Sequence, residues 1–146
     1  MRALVFVLLA AVLLLGFTTL ILMNGSSSEA STISVKGFPL VVEVADTQEA
    51  RQKGLSGRPS LEENEGMLFV YKEPERPGFW MKDMNFSLDI LWIDEHGVIQ
   101  EIAESISPDS FPQRFLPETV ASYILEVNAG WVERHGIEAG DSVISK

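Results

Sequence analysis

Two carboxylates sit where strands should be apolar. Asp89 lies within Leu88-Asp89-Ile90-Leu91-Trp92-Ile93, a segment apolar on both faces. Period-two alternation sets it beside Leu91 and Ile93. A carboxylate there must be paired or hydrogen-bonded, because burying it alone costs several kcal/mol or more. It is either a pocket carboxylate with a raised pKa or a structural group. A structural Asp89 would pair with a basic partner, Arg58 or Lys82, or cap loop amides. Glu126 interrupts Tyr123-Ile124-Leu125-Glu126-Val127 in the same way. Two such carboxyl groups in one cleft would supply a general acid and a general base, as in glycoside hydrolysis.

Trp80 and Lys82 alternate within Phe79-Trp80-Met81-Lys82. If this segment and that of Asp89 form a hairpin, Trp80, Lys82 and Asp89 make a charged pair beside an aromatic platform, suited to a small polar ligand such as a sugar. That requires a particular register, since a one-residue slip reverses the faces. Otherwise Trp80 is core and Lys82 a snorkelling cation. Arg58 offers a rigid fork for a carboxylate or phosphate, or for clamping its own loop to Glu65 or Asp89. Gly54-Leu55-Ser56-Gly57 is one residue short of a nucleophile elbow, and no histidine is placed to activate Ser56. Asn128 reads as a helix cap. The two histidines, His96 in a turn and His135 at a helix end, are poorly placed for zinc, and no cysteine is present. Methionines 67, 81 and 84 read as core filler rather than copper ligands. No metal or cofactor is expected.

The elements that must position these groups are short. Ile33–Val35 and Leu40–Val44 read as two strands or one bent strand, Met67–Tyr71, Phe79–Lys82, Leu88–Ile93, Val98–Ile102, Ser122–Val127 and Ser142–Ile144 as further strands. Thr47 caps a helix over Gln48–Lys53 that Gly54 ends, and a second small helix runs from Asn128 through Arg134 to Gly136. Asp94-Glu95-His96-Gly97 is a hairpin turn, and Ser107–Pro117, with three prolines, is irregular. The expected fold is mainly β, a compact antiparallel β-sandwich or barrel with two short helices.

GLSGR (Gly54 to Arg58), EGMLFVY (Glu65 to Tyr71), FWMKDM (Phe79 to Met84), LDILWID (Leu88 to Asp94), LEVNAGWVERHGI (Leu125 to Ile137) and the pair Gly140-Asp141 follow in that order. Together they resemble a prokaryotic family known as domain of unknown function 192, over about Val41 to Val143. The resemblance implies a compact β-sandwich or barrel of similar size and an N-terminal signal or anchor. It implies no activity.

Before this domain lies an uncharged apolar run, Ala3 to Met23, preceded by Arg2. At about 1.5 Å per residue it reaches roughly 30 Å, enough for a transmembrane helix. Its length favours a retained anchor over a cleaved signal, although Ser28-Glu29-Ala30 could serve as a cleavage site. Arg2 keeps the N-terminus in the cytoplasm and sends the domain out. The expected organisation is an anchor at 1–23 meeting the bilayer through 3–23, a Gly/Ser-rich tether at 24–32 and one extracytoplasmic domain at 33–146. Cleavage near Ala30 would give a secreted or periplasmic domain instead. The net charge of −10 argues against nucleic-acid binding. The leading functional reading is a membrane-tethered binding or accessory module for a small polar ligand or an envelope protein. The rivals are a hydrolase-like enzyme using Asp89 and Glu126, and a purely structural interaction domain.

Overall fold

A computed structural model describes residues 30–145, so the expected membrane helix and all of the tether before Ala30 lie outside the described residues. Among the described residues no helix is long and apolar enough to cross a membrane. The strands are β1 (Ala30–Val35), β2 (Phe38–Ala45), β3 (Glu65–Glu75), β4 (Leu88–Ile93), β5 (Ile99–Ile106), β6 (Ala121–Asn128) and β7 (Val143–Ser145). Two short helices join them, α1 (Gln48–Lys53) and α2 (Trp131–His135). β1 takes in Ala30, Ser31 and Thr32, which composition assigns to the tether, because they pair with Glu43, Val42 and Val41 of β2.

The strands form one seven-stranded sheet in the order β5-β4-β6-β3-β2-β1-β7. All neighbours are antiparallel except β2 and β3, which run parallel. An all-antiparallel sheet was the expectation. The chain instead crosses over through α1 and the 54–64 loop, too long a connection for a hairpin. Thr47 caps α1 as the sequence implies, its hydroxyl accepting the Ala50 amide at 3.1 Å.

The sheet curls until its edges touch at one end. Val98 bridges Ser142, and the Val143 amide donates to the Gly97 carbonyl at 2.7 Å. The seam leaves no room for a side chain at position 97, where a Cβ would lie 2.6 Å from the Val143 oxygen. The result is a half-barrel rather than a sandwich of two sheets. Inside the curl lies one apolar core, with Leu40, Val42, Leu91, Ile93, Leu125, Val127 and the α2 residues Trp131 and Val132. A second core covers the outer faces of β3, β4 and β6, with Phe69, Phe79, Met81, Ile90, Trp92 and Ile124. β4 is therefore buried along its whole length, as its unbroken apolar pattern requires.

The expected strand at Phe79–Lys82 does not form. Phe79 makes a single antiparallel bridge to Phe115, and Asp83 turns the chain with φ at 57°. No hairpin joins this segment to β4, whose neighbours are β5 and β6. The segment lies across the outer core instead, with the Phe79 ring edge-on to Phe69 at 4.9 Å and to Trp92 at 6.5 Å.

Candidate functional site

A cleft of about 680 Å³ opens on the outer face of the sheet. α1 and Gly54-Leu55-Ser56 form one wall, the segment from Gly78 to Asp83 the other, and Phe69, Tyr71 and Glu126 line it from the strands. The walls are knitted together. The Ser56 hydroxyl donates to the Lys82 carbonyl at 2.9 Å, and the Gly57 amide donates to the Asp83 carbonyl at 2.8 Å. Ser56 is thus a structural tie, not a nucleophile.

Glu126 reaches the cleft from β6, flanked across the ladder by Met67 of β3 and Ile90 of β4. Its residue is only 6% exposed, and among the described residues no ion pair or hydrogen bond holds its carboxyl. Burial pushes its pKa up to about 8. At neutral pH it is a carboxylic acid, a hydrogen-bond donor facing open space.

The rim is cationic and aromatic. Trp80 is 47% exposed. Lys82 Nζ lies 5.9 Å from its ring centre and the Arg114 guanidinium 5.6 Å. Phe111 packs against the same indole at 5.7 Å. Arg51 and Lys53 line the cleft from α1. Arg51 is already engaged, donating to the Asp46 and Val70 carbonyls at 2.7 and 2.9 Å and stacking over Tyr71. Burial of Tyr71 raises the pKa of its phenol.

Asp89 is elsewhere. The pleat turns it to the interior of the curl, with Leu91 and Ile93, while Glu126 faces out. Its Oδ1 accepts the Ser105 amide at 2.8 Å and its Oδ2 the Val132 amide at 3.0 Å. It thereby pins a bulge in β5, where Ser105 has φ of 52°. It also caps α2, whose first residue follows Gly130, a residue without a side chain to do so. The expected ion pair with Arg58 or Lys82 is not made. Nor do Asp89 and Glu126 share a cleft, so a two-carboxylate hydrolytic pair does not exist here.

Arg58 clamps Glu43 of β2 in a bidentate pair, with Nη2 2.7 Å from Oε2 and Nη1 against Oε1. The Arg58 hydrogen bond holds the Glu43 pKa below its ordinary value. Glu65 is exposed at the start of β3 and adds only its field to Arg58. Asn128 caps no helix. Its amide donates to the Leu61 and Glu62 carbonyls, each at 2.9 Å, fastening the loop before β3. Of the six residues singled out, Trp80, Lys82 and Glu126 line one cleft, Arg58 and Asp89 serve the frame, and Glu65 is exposed away from the cleft. Arg114, in the proline-rich stretch, gave no sequence signal of its own, since its place depends on the pairing of Phe79 with Phe115.

The profile of the DUF192 family (Uncharacterized ACR) matches residues 31–145. The chain belongs to this family. Among solved structures, the DUF192 domain is similar to a candidate transcription regulator of Sinorhizobium meliloti 1021. The two share 31% identity with a TM-score of 0.79, over 84% of this chain and 98% of that one. It is also similar to a protein of unknown function from Novosphingobium aromaticivorans DSM 12444. That match has 30% identity and a TM-score of 0.75, over 81% and 86% of the respective chains. No curated protein matches.

Proposed function

We propose that the domain is a binding module for a small polar ligand, taken up in the cleft between α1 and the Gly78–Asp83 segment. The observation that carries this reading is the contrast between two buried carboxyl groups in one protein. Asp89 is fully buried and both its oxygens are satisfied. Glu126 is nearly as buried, has no partner among the described residues and borders a cleft. An unpartnered buried carboxyl lowers stability, and such a group beside open space is better explained by a ligand than by the fold. Four of the segments that carry the family resemblance, GLSGR, EGMLFVY, FWMKDM and LEVNAGWVERHGI, contribute residues to this one cleft.

The apolar run Ala3 to Met23, with Arg2 before it, supports placement of this module outside the membrane on a tether. The Sinorhizobium meliloti protein is described as a candidate transcription regulator, but a net charge of −10 makes this chain ill suited to the phosphates of a nucleic acid.

The test is a thermal-shift screen of the full chain in detergent against sugars, short peptides and small organic acids. At least one class should raise the midpoint, and Trp80→Ala should abolish that rise while leaving the unliganded midpoint nearly unchanged. A screen with no shift in any class, or shifts that survive Trp80→Ala, would overturn the reading.

A further inference from the structure

The charge of the cleft narrows the ligand, on the reading that the cleft is a binding site. The chain carries a net charge of −10, yet four cations line this cleft, Arg51, Lys53, Lys82 and Arg114, against Asp83 and the carboxyl of Glu126. Arg51 is spent on backbone carbonyls. Lys53 lies in the field of Glu43. The Lys82 ammonium has no hydrogen-bond or ion-pair partner among the described residues, and Arg114 makes only a long bond, from Nη2 to the Gly78 carbonyl at 3.4 Å. Both lie within 6 Å of the Trp80 ring centre, and neither joins an ion pair among the described residues. Both cations rest against an exposed indole without an acidic partner, so the rim has positive charge to offer an anion. Arginine and lysine beside an aromatic face suit a carboxylate or phosphate on a ring that can lie flat against the indole. A hydroxyl on that ring would accept a hydrogen bond from the protonated Glu126 carboxyl inside the cleft.

We propose that the cleft binds an anionic monosaccharide, a sugar acid or sugar phosphate. Its ring lies on Trp80, its anionic group sits between Lys82 and Arg114, and a hydroxyl is bonded to Glu126. Ionising Glu126 would set a negative charge beside the anion, so binding weakens as pH rises through about 8. The titratable and charged groups that line the cleft with Glu126 are Tyr71 from β3, Arg51 and Lys53 from α1, Lys82 and Asp83 from the opposite wall, and Arg114 from the rim. Burial raises the Tyr71 pKa, so its phenol does not ionise in that window.

Calorimetric titration of the full chain in detergent with glucuronate, glucose 6-phosphate, glucose and inorganic phosphate tests this. The two sugar anions should bind at least tenfold more tightly than glucose or inorganic phosphate. Lys82→Met combined with Arg114→Met should reduce that affinity at least tenfold. Wild-type affinity should fall between pH 7 and pH 9, whereas Glu126→Gln, neutral throughout, should keep its affinity across that range. Equal binding of glucose would remove the anionic requirement while leaving a sugar-binding cleft. Equal binding of inorganic phosphate would remove the ring. Binding of none of the four, with a peptide or organic acid still active in the thermal-shift screen, would overturn this inference alone. No binding in either experiment would overturn both.

Discussion

Asp89 and Glu126 lie one register step apart on neighbouring strands, Asp89 opposite Val127 and Glu126 opposite Ile90. The pleat sends them to opposite sides of the sheet. Both were visible in the sequence as charges inside apolar strands, but their roles were not. Which one has donors waiting depends on a bulge in β5 and on the entry of α2, features set by residues 105 and 132, far away in the chain. Asp89→Asn keeps one acceptor and turns an N–H₂ group toward the other amide. It should destabilise by about 1–3 kcal/mol in chemical denaturation, because a buried donor is left unmade. A variant as stable as the wild type would show that the two amide bonds contribute nothing. Glu126→Gln should act in the opposite sense at high pH. Between the ordinary carboxyl range and about 8, folded Glu126 holds a proton that the unfolded chain has released. Stability from this group is therefore highest in acid, falls as pH rises toward 8 and is flat beyond, a difference of up to roughly 5 kcal/mol. The variant should lack that decline, so its melting temperature should exceed the wild type's at pH 9 and not at pH 5. Parallel pH profiles of the two proteins would reject an ionisable, unpartnered Glu126.

At the level of elements, local chemistry was legible and pairing was not. Thr47 and Gly54 bound α1 as read, since caps are decided by adjacent residues. The β1–β2 hairpin turns at Lys36-Gly37, both at positive φ, and its register follows from that turn. Phe79–Lys82 has the composition of a strand but its strand pairing is a single bridge from Phe79 to Phe115, so it became a wall of the cleft, and Trp80 became exposed instead of buried. Arg58 reads as a clamp of its loop to Glu65 or Asp89; it is a clamp, but its partner is Glu43 on β2. That choice depends on the parallel crossover, which no local pattern announces. A double-mutant cycle of Glu43→Gln with Arg58→Met should give a coupling of about 0.5–1 kcal/mol at neutral pH, as for a half-exposed bidentate pair. The Glu43 pKa is lowered, so this contribution is present above the ordinary carboxyl range and is lost as pH falls through the folded value. The same cycle between Asp89 and Arg58 should give a coupling near zero. A large value there would mean that the two sides of the sheet communicate.

For the molecule as a whole, the mainly β class and the two helices were readable from strand-sized apolar runs, and closure was not. The curl is completed by a seam of a few hydrogen bonds around Gly97, Ile99, Asp141 and Val143. Gly97→Ala must displace the Val143 carbonyl and adopt φ near 78°. It should destabilise by about 1–3 kcal/mol. Hydrogen exchange at the Val143 and Ile99 amides should quicken while β3 and β6 amides stay protected. Uniform loss of protection would mean that the seam and the central strands open as one unit. The seam is reached through β7, which also pairs with β1, setting Ile33 opposite Ser145. The first and last strands of the domain are therefore neighbours, and synthesis separates them by nearly its whole length. A nascent chain can form the β1–β2 hairpin early, but β1 keeps a bare edge until Val143–Ser145 emerges. For that interval the growing domain offers a strand edge to any other extended chain, a hazard that ends when the last strand docks.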